Sequence, residues 1–244
     1  TEFVPGWGQA RLHGMIAGRP DWCISRQRTW GVPIPVFYHR ETGEVLLNEA
    51  SLAHIQALIA EHGSDVWWQK EEAELLPPSQ AAEAHLWRKG TDTMDVWFDS
   101  GSSWAGVLGG LDPAAKAQEA APLQYPADLY LEGSDQHRGW FHSTLMCSVV
   151  TRGHAPYKAV LTHGFAVDEH GRKFSKKLKN YIEPEILMRD YGAEIMRLWA
   201  SSADYVNDVR SSVKILQMLQ DAYRKVRNTL RYILGALDGF DPAS

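Results

Sequence analysis

The stretch "DLYLEGSDQHRGWFHSTLMCSVVTRG", from Asp128 to Gly153, decides the fold class of this 244-residue chain. Its segment Leu129–Leu131 predicts a short buried strand, and the pattern becomes helical from Asp135 onwards, with a stop signal at Gly153. A second strand is predicted at Ala159–Thr162. Two strands joined by a helix are typical of a βαβ unit, so the sequence predicts an α/β fold with a parallel sheet.

The composition is that of a folded protein with one large or two smaller domains. Charged residues make up 23% and aromatic residues 11% of the chain, whose net charge is −5. The two cysteines, Cys23 and Cys147, lie far apart; this excludes a disulfide framework and a thiolate zinc site and favours a cytoplasmic location. We find no apolar run long enough for a membrane span. Ten tryptophans are many, so some are expected in a pocket or an interface.

Upstream of the deciding stretch the pattern is mixed. A strand is predicted at Trp22–Ile24, a hairpin turn at Thr42-Gly43 and a helix that is capped by Asn48 and ends at Gly63. Residues 64–90 are polar and indicate a peripheral insertion. The block "DTMDVWFDSGSSW" predicts another strand of about four residues, followed by a linker rich in Ala, Gly and Pro at 109–126.

Downstream, the predictions are a kink at Gly164, a hairpin around residues 169–171 and helices beginning at Pro184. The last helix carries one apolar face, which we expect to pack on helical neighbours: Ile215, Leu216, Leu219, Tyr223, Val226, Leu230 and Ile233.

The junction "LEGSDQHRGW" is the first candidate site. In parallel α/β sheets ligands bind beyond the carboxyl ends of strands, where a turn meets the next helix. Gly133 would let a ligand approach the backbone, and the amides of the helix N-terminus favour anionic groups. Glu132 and Asp135 could bind an ammonium group or a ribose hydroxyl. The alternative is an ordinary helix cap formed by Ser134 or Asp135.

The second candidate site is the basic stretch "DEHGRKFSKKLKN", from Asp168 to Asn180. It gathers positive charges behind Gly171: Arg172, Lys173, Lys176, Lys177 and Lys179. Such a loop can neutralise charge on a phosphate leaving group, although a solvated basic turn is the commoner outcome for a run of charges. The sequence contains no P-loop, GxGxxG or GxSxG element, and its histidines lack the spacing of metal ligands.

Together these blocks resemble a known family. The segments "WCISRQRTWGVPIPVF", "DVWFDSGS", "LEGSDQHRGWF", "VLTHGFAVDEHGRKFSKK" and "GAEIMRLW…DYVNDVR" are similar to the second half of the catalytic core of bacterial isoleucyl-tRNA synthetases, which are class I aminoacyl-tRNA synthetases. The resemblance implies half of a Rossmann-like nucleotide-binding fold. It divides the chain into a segment leading into the core (1–37), a small α+β insertion (38–92), the Rossmann-like half (93–182) and the start of a helical domain (183–244).

The resemblance also implies a reaction and its residues. The family joins L-isoleucine to ATP, which carries Mg²⁺, as isoleucyl-adenylate, releases pyrophosphate and then esterifies tRNA(Ile). KFSKK at 173–177 matches the family's KMSKS loop, so Lys173 and Lys176 would steady the pyrophosphate, and Lys176 would also bind ATP. The other implied residues are Glu132, Gly133 and Asp135 for the adenylate, Trp97, Gln136 and Trp140 for the isoleucine side chain, and His163 and Gly164 near the adenine.

Three departures from the family pattern shape the expectations. The HIGH signature is absent, because the nearest match, "RLHGM" at 11–15, lacks the second histidine and follows no predicted strand. The chain is therefore expected to be a fragment without the first catalytic half and the editing domain, and to be inactive alone. Phe174 and Lys177 replace a methionine and a serine of the loop. The region after "PVF" lacks the cysteines of some relatives, so no zinc is expected.

Two alternatives stay open at this point. The chain could be a non-catalytic, synthetase-like protein or a fragment that binds tRNA or a partner, which would fit the altered loop and the absent HIGH half. It could also activate valine or a close analogue in place of isoleucine.

Overall fold

The computed structural model describes residues 1–19, 21–108, 123–181 and 183–242. Two compact units are present: Thr1–Glu2, Gln9–Tyr130 and Asp135–Ala159 form the first, and Phe3–Gly8, Leu131–Ser134 and the chain from Val160 form the second. Most of the predicted linker, residues 109–122, lies outside the described residues. Within the described ranges no helix combines the length and apolarity that crossing a bilayer requires. The four-segment division stays a prediction.

The described elements up to residue 108 are short. In chain order they are β1 (Glu2–Val4), α1 (Trp7–Ala17), β2 (Ser25–Arg26), β3 (Phe37–His39), β4 (Val45–Leu46), α2 (Glu49–His62), α3 (Val66–Gln69), α4 (Glu72–Leu75), a 3₁₀ helix (Ala81–Leu86), β5 (Trp87–Lys89), β6 (Thr93–Met94), α5 (Val96–Gly101) and α6 (Ser103–Val107).

From residue 123 the described elements are longer. They are β7 (Ala127–Gly133), a 3₁₀ helix (Ser134–Arg138), α7 (Trp140–Arg152), β8 (Tyr157–His163), β9 (Ala166–Val167), α8 (Pro184–Tyr191), α9 (Ala193–Ser202), β10 (Val209–Arg210) and α10 (Val213–Ala236).

The predicted insertion folds around its own apolar core. Strands β4, β3 and β5 form an antiparallel sheet, with the hairpin turn at Thr42-Gly43 as predicted. Helix α2 begins with a reciprocal capping box between Asn48 and Ser51 and ends at Gly63, which confirms both predicted boundaries. Although residues 64–90 are polar on average, they bury large apolar side chains in this core, which comprises Phe37, Leu46, Ile55, Trp67, Leu75 and Leu76.

Two predicted strands were wrong. Residues 22–24 form no strand; the strand begins at Ser25 and pairs antiparallel with β6. In "DTMDVWFDSGSSW" only Thr93–Met94 is extended, and the apolar run that follows is helix α5. The reason is Asp95, whose carboxylate accepts a hydrogen bond from the Trp97 backbone N–H at 3.0 Å and so caps a helix where propensity favours a strand.

The deciding stretch folds as a strand–helix–strand unit. Strand β8 lies between β1 and β7 in a three-stranded sheet, and β7 and β8 run parallel because α7 connects them. The predicted burial of Leu129–Leu131 was wrong: Leu129 and Leu131 are 47% and 50% exposed, and only Tyr130 between them is buried. The predicted helix begins as a 3₁₀ turn and becomes α-helical at Trp140; Gly153 caps it in the left-handed conformation, as predicted.

The C-terminal residues are helical, as the sequence predicts. Pro184 occupies the first turn of α8, and Gly192 separates α8 from α9. Leu187, Ile195 and Leu216 form the buried centre of the three helices, with Tyr191, Met196, Trp199, Leu219 and Tyr223 around it. The second half of the apolar face of α10 is solvent-exposed: Val226, Leu230 and Ile233.

The segment "RLHGM" lies inside helix α1, and the expectation that no strand precedes it was wrong. Strand β1 ends at Val4, three residues before the helix begins. Its three residues include the polar Glu2, which gives too short an apolar run for sequence-based detection.

Candidate active site

Asp95 connects two of the sequence blocks within the first unit. Its Oδ2 atom accepts hydrogen bonds from Trp22 Nε1 at 2.9 Å and from the Arg26 guanidinium, while Oδ1 caps α5 through Trp97. Burial opposes ionisation, but the hydrogen bonds from Trp22 and Trp97 hold the pKa of Asp95 below its ordinary value. The carboxylate therefore fixes the "WCISRQR" block against the start of α5. Pattern reading missed this residue, although an aspartate before an apolar run is a cap signal.

The three predicted pocket residues of the first unit, Trp97, Gln136 and Trp140, come together around Gly139. A β-carbon at Gly139 would lie 2.5 Å from Gln136 Oε1 and 2.9 Å from Trp97 Cη2. Gln136 Oε1 accepts a hydrogen bond from the Trp140 backbone N–H at 2.8 Å, so Gln136 caps α7. Only glycine permits this close approach of the two side chains.

Trp140 is held at a defined orientation. Its Nε1 donates to the Ser100 carbonyl at 3.0 Å, and its ring stacks on Tyr130 with centroids 4.2 Å apart and planes 12° apart. Trp97 is 43% exposed, so its ring has a free apolar surface. An exposed indole face can contact a small aliphatic side chain. Asp135 is exposed.

A cavity of about 500 Å³ borders Trp97 on its Asp95 side. It is lined by Gly14, Met15, Gly18, Arg19, Arg26, Asp95, Trp97, Arg138 and His142. Burial, together with the positive charge of Arg19, lowers the pKa of His142, so this imidazole is neutral near pH 7. The lining is cationic overall, since three arginines face one carboxylate.

The second unit brings together the predicted residues at the strand ends. Glu132 and Gly133 end β7 and His163 ends the neighbouring β8, so all three lie at one edge of the sheet. Glu132 is exposed and Gly133 is buried. His163 Nδ1 lies 2.7 Å from the Gly164 carbonyl. This edge is where parallel sheets bind ligands.

Gly164 is required by a close backbone crossing. A β-carbon there would lie 2.2 Å from the Asn207 carbonyl oxygen, and the Gly164 N–H donates to the Tyr205 carbonyl at 2.8 Å. Strands β9 and β10 continue this contact as a parallel pair. The predicted kink at Gly164 is thus the point where the "DYVNDVR" segment crosses the end of β8.

The basic loop follows β9 in the same unit. Lys173 lies over the Phe165 ring, with Nζ 3.6 Å from the centroid. Arg172 forms an ion pair with Asp168 at 2.8 Å. The side chains of Lys176, Lys177 and Lys179 are exposed, and within the described residues no side-chain partner is found for them. Three of the five cations are therefore available to an external anion.

Asp168 and Asn180 lie at the two ends of this loop. Asn180 Nδ2 donates to Asp168 Oδ2 at 3.0 Å, and Asn180 Oδ1 accepts from the Ser175 backbone N–H at 2.9 Å. This hydrogen bond from Asn180, aided by those from Arg172 and His170, holds the pKa of Asp168 well below its usual range although burial opposes it. The sequence showed both residues inside the basic stretch, but nothing in the pattern paired them.

The described residues contain no group of three or more His, Cys, Asp or Glu side chains placed to hold a metal ion. Cys23 is exposed and Cys147 is buried, and neither forms a disulfide.

The profile of one protein family, described as "tRNA synthetases class I (I, L, M and V)", matches residues 1–212. The chain belongs to this family of class I tRNA synthetases. Curated relatives of this synthetase chain include isoleucine–tRNA ligases of a Synechococcus species, 60% identical, and of Parasynechococcus marenigrum, 58% identical, each over the whole chain. Another, from Prochlorococcus marinus, is 59% identical over 99% of the chain. The chain spans about a quarter of the length of these relatives, 25% of each.

Solved synthetase structures share the fold. The LeuRS–tRNA–LeuAMS ternary complex of Agrobacterium radiobacter superposes with a TM-score of 0.63 at 22% identity, over 90% of this chain and 29% of that chain. Mycobacterium tuberculosis methionyl-tRNA synthetase in complex with methionyl-adenylate gives 0.56 at 18% identity, over 89% and 32%. The predicted Rossmann-like α/β class is confirmed.

Proposed function

We propose that this chain is part of an isoleucine–tRNA ligase, which activates L-isoleucine with ATP and transfers it to tRNA(Ile). The observation that carries the proposal is the 58–60% identity, over the whole chain, to proteins of that name. The site residues, the substrates and the reaction order are part of the proposal.

In the activation step, the isoleucine carboxylate attacks the α-phosphorus of ATP and pyrophosphate leaves with the bonding electrons. Lys173 and Lys176 are proposed to stabilise the charge that develops on this leaving group. The exposure of Lys176 supports this role, because its ammonium group is not consumed by an internal ion pair. No nucleophilic side chain is needed, since positioning and electrostatics are sufficient for displacement at phosphorus.

The amino-acid side chain is proposed to bind between Trp97 and Trp140, with Gln136 behind them. The fixed ring of Trp140 and the close packing around Gly139 support a rigid wall for a branched aliphatic group. A rigid apolar wall discriminates by volume, which is the property that separates isoleucine from valine.

The adenylate is proposed to bind at the strand ends. Glu132 and Asp135 would contact the ammonium or ribose groups, Gly133 would permit a close approach to the backbone, and His163 and Gly164 would lie near the adenine. The strand-end position of Glu132, Gly133 and His163 supports this assignment.

The remaining parts of the reaction are proposed to come from the rest of a longer protein. These include the HIGH signature, editing and recognition of tRNA. Magnesium is proposed to enter with ATP, and no zinc is proposed for this segment. A cytoplasmic location is consistent with the reduced cysteines.

Amino-acid-dependent exchange of pyrophosphate into ATP, measured on the full-length protein that contains this chain, tests the proposal. Exchange that depends on isoleucine, with valine far weaker, is expected. Exchange driven best by valine would indicate the valine alternative, and no exchange with any amino acid would favour the non-catalytic reading.

A further inference from the structure

The basic loop is closed by a pair of side chains that the family resemblance does not assign. Asp168 is the first residue of the loop and Asn180, 12 positions later, is the last, and their side chains meet at 3.0 Å. The five basic residues all lie between them. The loop is therefore fastened at both ends by one hydrogen bond.

The carboxylate of Asp168 is fully engaged. Oδ1 accepts from the backbone N–H groups of His170 at 3.0 Å and Arg172 at 2.9 Å, while Oδ2 accepts from Arg172 Nε at 2.8 Å and from Asn180. The residue is 6% exposed, so these bonds form away from bulk water. Four donors around one buried carboxylate make a rigid base for the loop.

Asn180 extends this base into the centre of the loop. Its Oδ1 accepts the Ser175 N–H at 2.9 Å, and its Nδ2 also approaches the Lys173 carbonyl at 3.3 Å. Ser175 lies between the two catalytic lysines of the proposed function. One side chain thus links the backbone on which both lysines are mounted to the carboxylate of Asp168.

We infer that Asp168 and Asn180 are positioning residues that set the geometry of the basic loop for the activation step. The kinetic consequence rests on the proposed function, and the structural consequence rests on the observed hydrogen bonds. Neither side chain needs to touch substrate. Their effect is to limit the conformations of the Lys173–Lys176 backbone, and a misplacement of about 1 Å can cost about 100-fold in rate.

The inference predicts which steps are affected. Adenylate formation moves charge onto pyrophosphate and needs the lysines in place. The transfer of isoleucine from preformed adenylate to tRNA releases no pyrophosphate and should be unaffected. Isoleucine contacts lie elsewhere in the proposal, so the KM for isoleucine should also stay unchanged while kcat falls.

The variant Asp168→Asn in the full-length protein tests this directly. In this variant the amide oxygen at position 168 can still accept from the backbone N–H groups of His170 and Arg172. The amide NH₂ group then faces Asn180 Nδ2 and Arg172 Nε, which are also donors. The hydrogen bond between residues 168 and 180 is therefore lost. We expect kcat for isoleucine-dependent exchange to fall about 10- to 100-fold. The matched control is Glu169→Gln, because the Glu169 carboxylate is 65% exposed and contacts only His170 among the described residues; its exchange rate should equal wild type.

A swap variant separates positioning from general damage. In Asp168→Asn/Asn180→Asp the donor and acceptor are exchanged: the amide at 168 can donate to the carboxylate at 180, which can still accept from Ser175. Partial recovery of kcat relative to Asp168→Asn is expected, as a positive coupling in a double-mutant cycle. Strictly additive losses would overturn the inference, as would a wild-type kcat in Asp168→Asn.

Hydrogen exchange provides a readout that is independent of catalysis. The Ser175 amide should exchange faster in Asp168→Asn than in wild type or Glu169→Gln, because its acceptor Asn180 is no longer held by residue 168. If the wild-type protein shows no activity with isoleucine but the Ser175 amide exchanges faster in Asp168→Asn, the proposed function is refuted and the positioning role of Asp168 and Asn180 is supported. If the wild-type protein is active with isoleucine but the Ser175 amide exchanges equally fast in wild type and Asp168→Asn, only the positioning role is refuted.

Discussion

The indole ring of Trp140 lies parallel to the phenol ring of Tyr130, at 4.2 Å between centroids and 12° between planes. Tyr130 is the one buried residue in the centre of β7, and the Trp140 N–H is bonded to the Ser100 carbonyl. The sheet and α5 thus fix the ring before any ligand arrives. Such preorganisation reduces the entropic cost of binding.

Replacing Trp140 or Trp97 by leucine should change amino-acid preference if these rings form the pocket. Isoleucine and valine differ by one methylene group, which is worth about 1–3 kcal/mol in a hydrophobic pocket. The ratio of kcat/KM for isoleucine to kcat/KM for valine should therefore shrink about 10-fold or more in the variants. Exchange assays with both amino acids measure it. Trp68→Leu, a change in helix α3 where the residue is 39% exposed, is the control. Equal ratios in all variants would show that the two rings serve only packing.

Gly139→Ala should disturb the same pocket from behind. The new methyl group would overlap Gln136 Oε1 and the Trp97 ring, and overpacking of this kind costs about 1–3 kcal/mol. The expected results are a lower unfolding free energy and a higher KM for isoleucine. Gly106→Ala is the matched control, because nothing lies within 4 Å of its β-carbon. A wild-type KM in Gly139→Ala would contradict the geometry.

Gly164→Ala should be more damaging than Gly139→Ala. Its β-carbon would meet backbone atoms of Asn207 and Asp208, which cannot rotate away as a side chain can. We expect a loss of about 3 kcal/mol or more of unfolding free energy, measured by chemical denaturation. Gly235→Ala near the end of α10, with open space at its β-carbon, should cause no loss and at most a gain of about 1 kcal/mol from helix propensity. Equal stability of the two variants would mean that the strand crossing is not fixed.

His142 should make stability depend on pH. Its folded pKa lies below the ordinary value of about 6.5, so the unfolded chain binds more protons as the pH falls. Its stabilising contribution is complete above about pH 6.5 and declines as the pH drops towards the folded pKa. The unfolding free energy, measured by chemical denaturation, should be lower at pH 5.5 than at pH 7.5 in wild type. The difference between the two pH values should be smaller in His142→Gln. An equal decline in wild type and His142→Gln would show that this imidazole does not set the pH dependence of stability.

The sequence predicted the elements whose signals are local. The capping box of Asn48, the stop at Gly153 and the first-turn Pro184 each act through their own backbone, so the boundaries they set were confirmed. The α/β class was confirmed because the alternation of strand and helix in the deciding stretch is also a local signal.

The errors arose where distant residues decide. Asp95 makes "VWFDSG" helical by capping it while also binding Trp22 and Arg26, more than 60 positions upstream. Leu129 and Leu131 carry the apolar signature of a buried strand, yet both point to the exposed face of β7, while Tyr130 between them points to the buried face.

In the candidate site, too, the sequence identified some residues and missed others. Motif resemblance named Trp97, Gln136 and Trp140, which the structure brings together, and Glu132, Gly133 and His163, which share a sheet edge. It did not identify Gly139 or the Asp168–Asn180 pair, because their roles depend on contacts in three dimensions.

The most direct test of the central claim is single-turnover formation of isoleucyl-adenylate by the full-length protein carrying Lys176→Ala. Loss of an electrostatic contact to the leaving pyrophosphate should slow this step about 100- to 1,000-fold. Lys225→Ala, which removes an exposed cation from α10, should leave the rate unchanged. A wild-type rate in Lys176→Ala, or an equal fall in both variants, would contradict the assignment of the basic loop to isoleucine activation.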